Sequence, residues 1–397
     1  MPAGTFGRRE VAKARKYLPV PEETPARPAP IPLRRPGLLG RLPWCTAVFA
    51  AWSVFEFLKE LRLATDMIGR TAPGHYTLLG AGATDRALVL GQGEWWRLFT
   101  APFLHGSASH LIGNLIVLLL AGPLLESAVG SGWFAMIYLA GGLGGSLLSL
   151  FADPADMLST GASGAIIAIL GAMFAASFHD DIRWPIFRRV LAGFLLFPAL
   201  VPAVTADGAV VGVNAHLGGA LTGTALIFVM MMSWREQDEI PSHGGIAAIA
   251  GGVLFAITVF CFPIVNANFA RDAAPGRELV PFSRMPQTQQ MIAANSYDLA
   301  QQYPRDPRAQ YLRGLALLQN HDATAAEPYL RTALYLNEQN PAFRRDFSAR
   351  IRAILALDVL VLHRRDEARD IAAPACNSDD AEVRAWLKRA VLCAHGG

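Results

Sequence analysis

Four polar side chains lie in stretches otherwise suited to lipid, and their types define a chemistry. His110 and Asn114 stand one helical turn apart, Ser163 sits inside Gly161-Ala162-Ser163-Gly164, and His216 lies in Asn214-Ala215-His216-Leu217-Gly218-Gly219. A serine hydroxyl is a weak nucleophile until a base takes its proton, and His216 is the histidine well inside a neighbouring apolar stretch. Neither stretch contains Asp or Glu, so the pair reads as a dyad with the imidazole held by packing. Charge developing on an attacked carbonyl oxygen needs donors, and Asn114, His110 and the Ser163 backbone N–H near a helix N-terminus are of the right kind. The chemistry is acyl transfer. Gly161 and Gly164 leave room for a substrate backbone and a neighbouring helix, while Gly212, Gly219 and Gly223 give the His216 stretch a smooth face to seat against them. Each feature alone has a plainer reading: a small-residue packing face around Ser163, and interhelical hydrogen bonds for Asn114 and His216.

The elements that must position these residues follow from where the charges are. The 397 residues are 52% hydrophobic and 17% charged, against roughly 25% charged in ordinary soluble domains, which disfavours disorder, collagen and disulfide scaffolds. The depletion is local. Residues 1–41 hold 12 charges, residues 42–269 hold 23, and residues 270–397 hold 32, so only the middle block is starved. Within it the stretches 98–125, 127–152, 157–179, 190–206, 208–234 and 240–270 carry no Asp, Glu, Lys or Arg, and most exceed the ~20 residues that span a bilayer. The chain is therefore read as all-α, a polytopic membrane bundle with a soluble helical part after it. The net charge of +3 says nothing of nucleic acid, which is not expected as a partner, because the basic excess sits in a Pro-rich tail at residues 1–41 that suits an anionic cytoplasmic lipid face.

Seven spans are expected, near 42–63, 110–126, 133–151, 161–178, 187–205, 209–233 and 245–266. Glu56 and Lys59 fall in the first, and no regular element is expected in the loop 64–109, where Trp95, Trp96, Phe99 and Phe103 cluster beside Arg97 at an interface. Arg34, Arg35 and Arg41 precede span one, and Arg183, Arg188 and Arg189 lie an even number of crossings away, so both clusters fit the cytoplasm. Spans two, four and six then run inward from the outer side. At about 1.5 Å of rise per residue, His110, Asn114, Ser163 and His216 share one depth near the outer surface and can converge on one cavity. Charged or paired polar groups at mid-membrane and repeated halves, which a transporter would need, are not seen.

Residues 270–397 read as a separate outer helical module. Counted from Pro307, Gly314, Ala326 and Ala333 fall at the small-residue places of a 34-residue helical hairpin, which resembles a tetratricopeptide repeat; helical hairpins without repeat ancestry fit equally. Residues 341–375 suit a second hairpin and 379–395 a capping helix. Such a module suits a protein partner, a substrate's outer domain, or a simple cap. Cys45 and Cys261 read as packing residues, whereas Cys376 and Cys393, outside the membrane, suit one disulfide.

Trp96-Arg97, His110-x-x-x-Asn114, Gly161-Ala162-Ser163-Gly164 and Ala215-His216-x-x-Gly219-x-x-x-Gly223, in this order, resemble the rhomboid family of intramembrane serine proteases over roughly residues 42–233. The resemblance implies a six-helix core with the seventh span added, Ser163 as nucleophile, His216 as general base, and His110 with Asn114 as the oxyanion pair. It implies that Trp96, Arg97 and His105 shape the first loop. It further implies membrane-protein substrates cut in or beside a transmembrane helix, with no metal or organic cofactor. Two departures stand out: Ser127 and Ala128 follow Glu126 where the family has Glu-x-Arg, and Ile167 occupies a position often held by an aromatic that stacks on the imidazole. A catalytically silent relative that binds transmembrane helices is the competing reading, though such relatives typically lack the serine or the histidine. A multi-pass protein of the bacterial inner (plasma) membrane is expected, with its N-terminus cytoplasmic; an Arg-rich tail would also allow a mitochondrial one, although Glu10, Glu22, Glu23 and the prolines suit a transit helix poorly.

Overall fold

The computed structural model describes residues 43–155, 157–178, 186–201, 212–234, 241–339, 343 and 345–393. The basic tail at 1–41 and Arg183 of the second basic cluster lie outside the described residues.

Helix α1 (Trp44–Leu63) follows Pro43, which supplies no side-chain cap. Glu126 does so from a distant segment. Its carboxylate accepts the Cys45 and Thr46 N–H groups at 3.0 Å each, the Thr46 hydroxyl at 2.8 Å and the Ser131 hydroxyl at 2.7 Å. A buried carboxylate at a helix N-terminus satisfies orphan donors and favours the dipole. Where an arginine partner was the family pattern, Glu126 thus has backbone partners.

The loop after α1 has more regular structure than its pattern suggests. A small antiparallel pair, β1 (Met67–Gly69) and β2 (Ala72–Pro73), leads into α2 (His75–Ala81), and a one-turn helix α3 (Arg97–Thr100) follows. Elements this short leave no periodicity to read. Next comes α4 (Ala108–Ala152), whose 45 residues would extend roughly 68 Å if straight, over twice the thickness of a bilayer core. It is two arms. Gly130, with φ 83° and ψ 157°, breaks it between the expected second and third spans, a conformation open to glycine because it has no Cβ.

Helix α5 (Ser163–Ala176) is apolar on every side and buried from Gly164 to Met173, which makes it the centre of the bundle. Helices α4, α6 (Ile186–Ala199) and α7 (Val213–Ser233) pack against it, while α8 (Gly244–Asp272) packs on α4 and on the short helices of the first loop. One core joins Phe49 of α1, Phe134 and Tyr138 of α4, Ile169 and Met173 of α5, Ile227 and Met230 of α7, and Phe262 and Val265 of α8. Outward faces remain apolar: Ile112, Ile116, Phe194, Phe228, Met232, Ile249 and Phe260 are all exposed. The exposed faces and apolar helices make this a membrane protein, with α4, α7 and α8 long and apolar enough to cross.

Among the described residues six α-helices follow: α9 (Gln289–Gln302), α10 (Pro307–Gln319), α11 (Ala323–Gln339), α12 (Arg345–Val361), α13 (Arg365–Ala372) and α14 (Ala381–Arg389). Helices α10 to α14 build a second core around Leu330, Ala353, Val359, Val383 and Leu387, and Leu299 of α9 packs with Val280 and Ala309 in a smaller cluster. Gly314 lets α10 and α11 close on each other, since a Cβ there would lie 2.6 Å from the Leu330 side chain. Cys376 and Cys393 are bonded, with Cα atoms 5.7 Å apart.

Candidate active site

The serine segment is held from the first loop. Thr84 and Ser159 exchange both backbone hydrogen bonds at 3.0 Å, and Gly161 N–H donates to the Ala101 carbonyl at 3.0 Å. Gly161 has φ +120°, and a Cβ there would stand 2.7 Å from His110 Cε1, 3.0 Å from His110 Nε2 and 3.8 Å from Asn114 Nδ2. The two α4 side chains therefore lie against the backbone just before Ser163. Ser107 caps their helix by accepting the His110 N–H at 3.2 Å. Ser163 opens α5, so its N–H is among the helix's orphan donors.

The serine and histidine helices approach backbone to backbone. A Cβ on Gly219 would fall 2.0 Å from the Gly164 carbonyl oxygen, one on Gly223 would fall 2.1 Å from that of Ala168, and one on Gly164 would lie 3.3 Å from that of Ala215. Ser163 and His216 each adjoin the Gly164–Ala215 contact. Ser163 is half-buried and His216 buried, and no hydrogen bond joins them in this structure. Catalytic hydrogen bonds of this type commonly tighten only on substrate. His216 Nδ1 instead meets the Ala199 carbonyl at 2.6 Å. Two residues before it, Asn214 donates to the Asp153 carboxylate at 2.7 Å, anchoring the start of α7 on the end of α4. Ile167 is buried in the core.

His105 supports Asn114. Its Nε2 lies 3.1 Å from Asn114 Nδ2, and an amide nitrogen only donates, so Nε2 accepts. Burial pushes the His105 imidazole down to about 3, His110 nearby adds to this, and the Phe103 carbonyl opposes it, so the ring stays neutral as that bond requires. The His105 N–H donates to both Glu60 oxygens at 3.3 Å.

Arg97 is wholly buried. It donates to Glu94 at 2.6 Å, to the Leu79 carbonyl at 2.6 Å, to the Ala83 carbonyl at 3.2 Å and to Asp272 at 2.5 Å, with Trp96 stacked 4.4 Å from its guanidinium. Arg271 closes the ring onto Glu94 and Asp272. Burial alone would raise the Glu94 carboxyl, but Arg271 and Arg97 hold it below the usual range. Cys376 and Cys393 belong to the second core and take no part. The motifs did not single out Asp153, Ala199, Glu60, Glu94 or Asp272. Arg271-Asp272 at the end of an apolar run was the one visible signal.

With this geometry in view, comparisons with known proteins are specific. The rhomboid domain model matches residues 92–233. The putative rhomboid protease YdcA of Bacillus subtilis (strain 168) is 30% identical over 167 residues, covering 42% of this chain and 82% of that protein. RHOMBOID-like protein 6, mitochondrial, of Arabidopsis thaliana is 35% identical over 179 residues, 43% of this chain and 57% of the relative. Rhomboid protease GluP of Bacillus subtilis is 45% identical over 97 residues, 24% of this chain and 18% of the relative. The chain thus spans little more than half the length of the plant relative, and no relative named here reaches across the whole chain.

Proposed function

The chain belongs to the rhomboid family, and from that premise we propose that it is an intramembrane serine endopeptidase acting on transmembrane proteins through a Ser163/His216 dyad. The observation that carries the reading is the Gly161 turn, which seats His110 and Asn114 against the backbone that delivers Ser163. In the proposed reaction His216 Nε2 takes the Ser163 proton as the oxygen attacks the scissile carbonyl. The oxyanion is held by the Ser163 N–H, Asn114 and His110. His216 then gives the proton to the departing amine, leaving an acyl-enzyme that water, activated by the same imidazole, hydrolyses. A helical peptide bond is shielded by its own hydrogen bonds, so substrates with Gly, Pro or small residues near the outer helix end fit this site best.

In this reading the protein lies in a bacterial plasma membrane with its N-terminus inside and residues 270–397 outside, where a Cys376–Cys393 disulfide is at home. The α10–α11 pair, closed at Gly314, is offered as a tetratricopeptide-like surface for a protein partner. Truncations that test it must spare Asp272, which belongs to the first-loop ring.

The test is reconstitution in liposomes with a model transmembrane substrate. Wild type is expected to cleave it and to be labelled by a fluorophosphonate, and Ser163→Ala to do neither. Equal cleavage by both would end the reading. Substrate binding without cleavage by wild type would favour the silent, helix-binding relative.

A further inference from the structure

An imidazole acting as base must present an unprotonated nitrogen to the serine, and in a triad an acidic residue secures this and stabilises the imidazolium that forms. This chain has no acid in the serine or histidine helix. What touches His216 Nδ1 is the Ala199 carbonyl, at 2.6 Å. A carbonyl oxygen only accepts, so Nδ1 carries the proton and Nε2 the lone pair. Ala199 is the last residue of α6, and the last four carbonyls of a helix have no intrahelical N–H and lie at the negative end of its dipole. Pro202, three residues on, has no N–H to compete for the oxygen.

We propose that the backbone carbonyl of Ala199 is the positioning group of the dyad, holding His216 in the Nδ1–H tautomer and stabilising its protonated form when Ser163 attacks. The proposal deepens the protease reading and rests on it. It also gives α6 a role. That helix sits on α5 through Phe174, which faces Gly193 and stacks edge-on with Phe197 at 5.2 Å, while Phe187, Val190 and Phe194 point outward and are exposed. The place of α6 on α5 therefore sets the orientation of the base on α7.

Two measurements on the full chain in micelles test this. In a 15N-histidine sample, assigned by comparison with His216→Gln, Nδ1 of His216 is expected to resonate as a pyrrole-type nitrogen and Nε2 as a pyridine-type one. The reverse pattern would overturn the proposal whatever the activity, leaving the dyad to be judged by Ser163→Ala. Second, replacing Leu200 by its α-hydroxy acid turns the Ala199–Leu200 amide into an ester with a poorer acceptor oxygen. The expected result is a fall in kcat of about tenfold with KM unchanged, and an acid limb moved to lower pH because the imidazolium is less stabilised. The same replacement at Val201 is the control. Leu200 N–H donates to Phe197 and Val201 N–H to Pro198, both at 3.2 Å, so each ester removes one helix-end bond but only the first weakens the Ala199 oxygen. Equal effects of the two esters would overturn the proposal.

Discussion

Arg97 and Asp272, 175 residues apart, are joined by a 2.5 Å ion pair that fastens the loop after α1 to the last turn of α8. The tie reaches the serine. Arg97 holds the Ala83 carbonyl, Thr84 pairs with Ser159, and Gly161 hangs from Ala101. A helix outside the matched family domain therefore supports the loop that supports the nucleophile.

A buried charge left without a partner costs about 3–5 kcal/mol, and losing Asp272 would leave the wholly buried Arg97 with Glu94 as its remaining carboxylate, at part of that cost. Asp272→Ala is accordingly expected to unfold at a markedly lower temperature in detergent and to react more slowly with a fluorophosphonate. Arg271→Ala, whose side chain is 53% exposed, is expected to cost well under half as much. Comparable losses from the two variants would show that the ring does not centre on Arg97.

Gly161→Ala tests the turn itself. The new methyl meets His110 within van der Waals contact, and φ +120° costs a non-glycine residue about 1–3 kcal/mol. Displacing an oxyanion donor typically costs 10²–10³ in kcat, so a drop of about a hundredfold with little change in KM is expected from progress curves on a transmembrane substrate. Unaltered kcat would remove His110 and Asn114 from the oxyanion site.

The candidate residues stood out in the sequence because lipid suppresses polar residues. Whatever remains polar in a charge-free run stands out, as His110, Asn114, Ser163 and His216 do. The spans could be read for the same reason, and the gap left between the second and third is where the structure breaks α4, at Gly130. The supports could not. Asp272, Glu94 and Asp153 act on partners far away in the chain, Ala199 acts through a backbone oxygen that any residue type would supply, and α2 and β1–β2 are too short to leave a period. Glu126 shows the limit of motif reading: the pattern registers a missing arginine, whereas the structure shows the carboxylate capping α1.

The two halves of the molecule are expected to respond oppositely to acid. His105 has its folded value, about 3, below the unfolded ~6.5, so the unfolded chain binds the extra proton and stability present above pH 6.5 is lost as pH falls, at up to about 1.4 kcal/mol per unit. Thermal unfolding of wild type beside His105→Gln, followed through the membrane helices, checks this. The two curves should diverge least below pH 4, if the variant folds, and an equal acid response in both would refute the assignment.

Asp358, buried in α12 with neither carboxylate oxygen hydrogen-bonded, works the other way. Burial lifts it to about 6, Glu327 adds to this, and Arg331 and Arg364 oppose it. Its folded value exceeds the unfolded ~3.9, so its contribution is complete below pH 4 and lost as pH rises through 6, a penalty of order 1–3 kcal/mol at neutral pH. Asp358→Asn should leave hydrogen exchange in α12 little changed at pH 4 and slow it at pH 8. Faster exchange at pH 8 would mean that the charged form has a partner.

The Cys376–Cys393 bond closes a loop of 17 residues over the last helices, where the second core is thinnest: α13 and α14 contribute mainly Ala368, Ala372, Val383 and Leu387. A loop near 15 residues is worth about 3 kcal/mol by the chain-entropy account, a large share of what so small a core supplies. Reductant, or the paired change Cys376→Ser with Cys393→Ser, is therefore expected to speed proteolysis after residue 345 while leaving the membrane helices protected. The same cysteines report topology. On the proposed topology, with residues 270–397 in an outer, oxidising compartment, mass mapping of non-reduced protein taken from membranes should find both residues refractory to alkylation. Recovery of both as free thiols in that sample would place residues 270–397 on the reducing side, and the Ser163 pocket would then have to open inward.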